Sequence, residues 1–483
     1  MDDFSENNLK DLGMNFALIK IFKNKLEVFS DALGFKDIFY DKNSGFVSDQ
    51  LMYYPKINPD FELNEQAVKE FLFSSTTVNF KSVIKDVSIL PLQTKLIIKK
   101  NEVPKLLNNN FLKYKSVYTD ENIASKLLAN AMKVSGRDIG SKAKYHLLSS
   151  GLDSRGILAA CPNLICLTAP PTGKRDDPVY ALAGMVCNIL GCEHERIEYS
   201  SEKYLEFAPE AAVMTNCRTT FRHRHFEKLK KGRIGHGTAF DSLIRGYVRN
   251  TKYLSKRYLP FKIIKKRGRG IPFPIENSYE NIEGIILYKF VPNDMIKQYP
   301  EFAKNYLEEV RKEIRSYYRL SRDPRNLLDM FWLSNFFPRG LEDFLDYDNK
   351  CSSSFFAAHP AIVNWHFSVP SIFRFGRIIE IKAVKQINEK ILKVRTENSF
   401  FRLTENSWVN ALSKLRTFIS PEKVWDYIDY LYFDKCNKMI QKLWDKYGSE
   451  VPLPFSITQN ISCKETLLNF LLWIKGLKTI SKN

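Results

Sequence analysis

The chain has 483 residues, with 73 Lys and Arg against 54 Asp and Glu, for a formal net charge of +19. Its 44% hydrophobic and 26% charged content excludes wholesale disorder, and 21 Gly with 21 Pro exclude a collagen-like or linker-dominated chain. No stretch approaches the ~18–20 uninterrupted apolar residues of a membrane helix. The nearest, residues 467–480, is cut by Asn469, Lys475 and Lys478 and reads as an amphipathic, docked terminal helix. The opening Met1, Asp2 and Asp3, followed late by a charged apolar stretch, does not read as a secretory signal, so a cytoplasmic protein with no membrane span is expected.

Up to about residue 115, short apolar runs alternate with turns. Residues 16–19, 26–29 and 95–99 read as strands, and residues 64–73 as a helix capped by Asn64. From residue 116 the character changes. Residues 144–149 form a strand followed at once by a polar turn and a helical run over 153–160, and residues 164–169 form the next strand. Asp177 can cap a helix with Pro178 at its first position, stopping at Gly191. Residues 196–199 and 233–236 read as further short strands. Strands alternating with helices imply a parallel sheet, so the expected class is α/β. Beyond about residue 290 the periodicity is helical, with Leu328, Phe331, Phe336 and Phe337 as core stripes.

Eight cysteines, none before Cys161, do not form a disulfide framework. Cys161 with Cys166, and Cys187 with Cys192, each show C-x4-C spacing, but Cys166 falls in a strand and Cys187 on an apolar helix face, where free thiols pack. The basic excess falls in two places. Residues 249–273 hold nine basic residues and no acidic one, and Arg218, Arg222, His223, Arg224, His225, Lys228, Lys230 and Lys231 form a second cluster. Such clusters serve as solvated faces, or as contacts for nucleic acid, an acidic peptide or nucleotide phosphate.

The segment with the most chemistry runs Leu148, Ser149, Ser150, Gly151, Leu152, Asp153, Ser154. A strand ending in small and hydroxyl residues before a helix points N–H and O–H groups at one spot, on the positive end of a helix dipole. A phosphate chain suits that spot, and Asp153 suits it only when a divalent cation bridges the like charges. The same pattern is also that of an ordinary strand-to-helix turn capped by serine.

This segment resembles the S-G-G-x-D-S signature of PP-loop ATP pyrophosphatases, with Ser150 replacing the first Gly. The surrounding pattern is similar to the asparagine synthetase branch. Asp177, Tyr180 and Ala181, leading to Leu190, Gly191 and His194, resemble its D-x-x-x-A…L-G-x-x-H stretch. Residues 237–247 resemble G-x-G-x-D-E-L-F-G-G-Y, with Asp241 at the metal position, Ser242 for the following Glu and Arg245 for the first Gly of G-G-Y. Pro360 to Val363 and Ser368 to Pro370 resemble the L-V…S-L-P region, with Lys382 near the K-x-L-R lysine, although Lys385 competes for that place. The E-x-R-x-P-F-L-D block is replaced by residues 352–359. Residues 15–49 resemble the second half of the family's glutaminase domain, whose first half, with its catalytic Cys, has no counterpart here.

The resemblance implies a β-rich, catalytically inactive glutaminase-like unit over residues 1–115. A PP-loop synthetase domain over 116–483 would follow, helical from about 290. It implies ATP and Mg2+ as cofactors, with Leu148, Ser149, Ser150, Gly151, Asp153, Ser154, Leu167 and Asp177 at the nucleotide. Asp153 and Asp241 would hold the metal, and Lys382 and Thr238 would act in catalysis. His236 and His225 are further acid–base candidates. The implied reaction is adenylation of a substrate carboxylate and amide formation with release of AMP and pyrophosphate. Relatives without glutaminase activity include β-lactam synthetases and lasso-peptide cyclases, so a peptide or specialised metabolite and a partner protein of a biosynthetic pathway are expected. Two other readings are a tRNA-modifying PP-loop enzyme, which would bind nucleic acid, and a non-catalytic scaffold of the same fold.

Overall fold

The computed structural model describes residues 6–14, 16–168, 178–197, 201–217, 232–237, 239–245, 286, 291, 293–335, 351–374, 377–396, 402–404, 426–453 and 461–481. Asp177, Thr238, His225, Phe336, Phe337, the Gly246–Tyr247 part of the motif and both basic clusters lie outside them.

The chain opens on strands β1 (Ala17–Phe22), β2 (Lys25–Ser30), β3 (Phe39–Asp41) and β4 (Val47–Ser48). Helix α1 (Glu65–Ser74) follows, then β5 (Val87–Ile89), β6 (Thr94–Lys99) and β7 (Lys105–Asn108). They make a four-stranded sheet ordered β1-β2-β6-β7 and a three-stranded sheet ordered β4-β3-β5. The pairing is antiparallel throughout, with Val28 set between Ile19 and Leu96. Val28, Ile38, Tyr40, Leu90 and Leu96 close between the two sheets. Edge strand β1 leaves Ile21 82% exposed, with no strand paired on its outer side among the described residues. Asn64 caps α1 as its sequence suggests, its side chain accepting from the Ala67 N–H.

Helix α2 (Glu121–Gly140) leads to β8 (Tyr145–Leu147), α3 (Leu152–Ala160), β9 (Ile165–Thr168), α4 (Pro178–Leu190) and β10 (His194–Arg196). Then come α5 (Ser201–Met214), β11 (Gly232–His236) and α6 (Phe240–Arg245). With β12 (Cys351–Phe355) these strands form one parallel sheet ordered β10-β9-β8-β11-β12. The protein is therefore mixed α/β, as expected. Gly191 stops α4 at φ +70°, a left-handed position that a side chain would strain. Strand β10 begins two residues earlier than the sequence pattern suggests, because Cys166 N–H bonds Glu193 O and sets the register there.

The helical part comprises α7 (Asn293–Gln298), α8 (Pro300–Tyr317), α9 (Pro324–Asn335), α10 (Pro360–Ser368), α11 (Ile378–Asn388), α12 (Asp426–Tyr447) and α13 (Ile461–Ile480). Helix α13 docks as expected, burying Leu467, Leu471, Trp473 and Leu477. Among the described residues no helix is long and apolar enough to cross a membrane. The change of sheet near residue 115 is not a break in packing. One continuous apolar cluster runs from Met14, Phe71 and Leu92 through Leu128, Leu148 and Phe331 to Trp473. Phe71 meets the Phe470 ring at 6.2 Å, and Asn216 accepts from the Leu51 N–H at 2.8 Å.

Candidate active site

The loop between β8 and α3 stands at the C-terminal edge of the parallel sheet, where open α/β sheets place their ligands. Gly151 is the N-cap of α3 and gives no side-chain cap, so the first-turn amides are left for an outside acceptor. Ser154, one turn in, folds back: its Oγ accepts from the Ser149 N–H at 3.2 Å and lies 3.1 Å from Ser149 Oγ. Ser149 Oγ accepts from the Gly151 N–H at 3.1 Å. Ser149 is exposed, Ser150 buried. The result is a tight ring of hydroxyls and amides with an open side. Gly237, at the end of β11, borders it; a Cβ there would come 3.4 Å from Ser154 Cα.

Arg155 anchors this ring from below. It is fully buried, and its guanidinium donates to the carbonyls of Gly151 (3.2 Å) and Ser150 within the loop. It also donates to Ile391 (3.1 Å), Val394 (2.6 Å) and Arg395 (3.1 Å) after α11. Five carbonyl dipoles so aimed solvate a buried cation and tie the loop to a segment about 240 residues away. His146 supports the other side, its Nε2–H donating to Ser154 O at 2.9 Å. Burial lowers its pKa to about 4.

A depressed histidine binds fewer protons folded than unfolded, so its stability contribution is present above pH 6.5 and lost as pH falls through about 4. The loss is about 3 kcal/mol. Buried Glu70, Glu313 and Glu380 have raised pKa values and act in the opposite direction over part of that range. The test is therefore a comparison of pH slopes in denaturant unfolding between wild type and His146→Asn. The slope of the variant is expected to be less positive than that of wild type between pH 4 and 6.5; equal slopes would remove the assignment.

Acidic groups gather at the rim. The Asp153 carboxylate is ion-paired with Arg245 of α6, and Arg245 Nε stands 3.1 Å from Glu380 Oε2 of α11. Asp153 Oδ1 is buried and has no hydrogen-bond partner among the described residues. Glu380 is wholly buried; desolvation and Asp153 push its pKa well up against the pull of Arg245. In its protonated form Glu380 carries a donor for a carboxylate such as Asp153. Asp241 keeps a solvent-facing edge but is crowded by protein, and burial and the Asp153 charge raise its pKa. Ser242 Oγ lies 3.3 Å from Asp241 Oδ1 and accepts from Trp332 Nε1 at 3.2 Å. Ala239, just before α6, sits at φ +77°, a strained angle for alanine that sets the direction of the helix carrying Asp241.

The structure thus brings together Ser149, Ser150, Gly151, Asp153, Ser154 and Asp241. Leu148 and Leu167 are adjacent but their facing groups are spent: Leu148 N–H bonds Leu167 O at 2.9 Å, and Leu148 O accepts from Thr168 Oγ1 at 2.7 Å. Lys382 is not brought to the loop. Its ammonium pairs with Glu121 at 3.2 Å and Asn122 at 3.1 Å, at the start of α2. The α11 side chain that reaches Asp153 is Glu380, about 200° around the helix. Lys385 stands 3.8 Å from Glu389. His236 is buried and stacks on Phe355 at 5.3 Å. Residues 352–359 form β12 and the cap of α10, where His359 Nδ1 accepts from the Ala361 N–H.

Arg155, His146 and Glu380 were not expected at the site from sequence. Among the described residues no three His, Cys, Asp or Glu side chains converge with metal-ligand geometry. Asp153 and Asp241 form a two-carboxylate pair, partly neutralised by Arg245, in which one buried Asp153 oxygen has no hydrogen-bond partner among the described residues. Such a pair fits a Mg2+ that arrives with phosphate oxygens and water rather than one held by protein alone. The chain matches no protein-family model and no curated protein.

Proposed function

We propose that this chain is an ATP-dependent, AMP-forming ligase of the PP-loop, asparagine synthetase-like kind. It would adenylate a substrate carboxylate and join it to an amine as an amide or lactam. The observation that carries the reading is the loop after β8, where Ser149, Gly151 and Ser154 gather donors at an uncapped helix start beside Asp153 and Asp241. Ser149, Gly151 and Ser154 would receive pyrophosphate oxygens, exchanging bonds they now make to each other. Mg2+ bound with the nucleotide would neutralise phosphate charge, and Asp153 and Asp241 would hold it. Arg155 keeps the loop's carbonyls turned inward, so that its amides and hydroxyls face the ligand.

No cysteine precedes residue 161, so the front segment offers no thiol for glutamine hydrolysis. The amine would be ammonia or one carried by the substrate itself, and we favour closure within one peptide or specialised metabolite.

One feature favours a second reading, a non-catalytic scaffold: Arg245 already occupies one oxygen of Asp153. The same titration separates the two. A non-hydrolysable ATP analogue is expected to bind wild type in a Mg2+-dependent way and at least tenfold more weakly to Asp153→Ala. Absence of binding by folded wild type would reject the ligase reading and favour the scaffold.

A further inference from the structure

Helix α6 carries two of the charged side chains at the candidate site, Asp241 and Arg245, yet it has only six residues. The last four carbonyls of so short a helix find no partner within it. One of them, Leu243 O, is met from α10, where His366 Nδ1 lies 2.7 Å away. A carbonyl can only accept, so Nδ1 carries the proton and donates it. Neutral imidazole has a single N–H, so Nε2 accepts, and the Tyr114 hydroxyl at 2.8 Å donates to it. His366 is wholly buried, and Arg374 stands against its ring, with Nη1 3.2 Å from Nδ1 and 3.3 Å from Nε2. Burial, and then the Arg374 charge, hold the His366 pKa well below the usual value, so the neutral form persists.

Tyr114 belongs to the extended segment that joins β7 to α2, and that segment is fastened on both sides. Leu112 N–H donates to Gln93 Oε1 at 2.9 Å in the front segment. Lys115 and Val117 N–H donate to the carbonyls of Phe367 (2.9 Å) and Ser368 (2.7 Å) in α10. The Tyr114 ring packs on Phe367 at 4.5 Å, which fixes the direction of its hydroxyl. Two hydrogen bonds in series therefore run from this segment to the backbone of α6, between Asp241 and Arg245.

We propose that His366 and Tyr114 are positioning residues of the candidate site: through Leu243 O they hold α6, and with it Asp241 and Arg245, against the loop after β8. In this role His366 acts through the direction of α6, not as an acid or base. The proposal deepens the ligase reading and rests on it for the nucleotide, whereas the geometry expected in the free chain stands apart from that reading.

The first measurement is 15N NMR of the histidine-labelled full chain, with His366 assigned by loss of its signal in His366→Asn. The neutral Nδ1–H tautomer is expected, and the Nε2–H tautomer would overturn the proposal. The second is hydrogen exchange in the free chain, followed by mass spectrometry on peptides covering residues 239–245 and, as a control, α13. Loss of one hydrogen bond shifts a local opening equilibrium by roughly tenfold. His366→Leu is expected to speed exchange over 239–245 by about that factor and to leave α13 unchanged. His366→Asn, whose side-chain amide can replace the Nδ1–H donor, should restore most of the protection, and Tyr114→Phe should fall between the two. Unchanged exchange in His366→Leu, a rise shared equally by α13, or an Asn variant no better than Leu would overturn the proposal. Where His366→Leu does not fold, the wild-type tautomer and Tyr114→Phe decide. Mg2+-dependent binding of the ATP analogue should weaken in the same order as protection. A wild type that binds no nucleotide would reject the ligase reading, while the tautomer and exchange results would still judge the positioning.

Discussion

Replacing Arg155 with alanine is expected to destabilise the protein by roughly 3–5 kcal/mol and, on the ligase reading proposed above, to weaken nucleotide binding at least tenfold. The guanidinium is fully buried and is the donor for carbonyls at both ends of its reach, Ser150 and Gly151 in the loop and Ile391, Val394 and Arg395 beyond α11. Alanine takes a donor away from each of these carbonyls, and each buried acceptor that is left unpaired costs about 1–3 kcal/mol. Arg155→Lys keeps the charge but loses the planar fork, so it should recover only part of the stability. Denaturant unfolding reads the first effect and an ATP-analogue titration the second. A stable Arg155→Ala that binds normally would show that the loop is shaped without this anchor.

The second large effect is expected at Arg245. It is the cation shared by Asp153 and Glu380, with Asp241 close by, and removing one member of a buried charge cluster typically costs about 3–5 kcal/mol. The sign with pH is distinctive. Asp241 and Glu380 have raised pKa values already, and loss of Arg245 raises them further. Carboxyls raised in the folded state hold protons that the unfolded chain has released, so their contribution is full below their ordinary range and is lost as pH rises. Arg245→Ala should therefore be hurt more at pH 8 than at pH 5. Unfolding curves at the two values decide it. A pH-independent deficit would mean that the guanidinium acts by packing alone.

Local rules made much of the fold readable. Asn64 before α1, Pro178 at the start of α4 and Gly191 after its end work through neighbours only a few residues away, so sequence spacing reveals them. The serine ring was legible for the same reason, since Ser149 and Ser154 are five residues apart. Contacts across the chain were not. Arg155 finds its carbonyls near residue 395, and Arg245 reaches Asp153 across 92 positions, separations at which pattern carries no information. Lys382 illustrates phase: helical periodicity beyond about residue 290 was legible, but the face that α11 turns to Asp153 is set by packing against α2 and α3. A two-residue shift then puts an acid where a lysine was expected.

The continuous cluster joining Met14 and Phe71 to Leu148 and Trp473 gives the front segment a reason to persist that does not depend on any chemistry of its own. Its rings and aliphatic chains are the other half of contacts made by α13 and the helical part, so its loss would leave large apolar faces uncovered. Selection acting on the loop after β8 is thereby also selection on Phe71 and Leu92. The front segment is thereby held as a keystone, and its sequence can drift only as far as the shape of that shared interior allows.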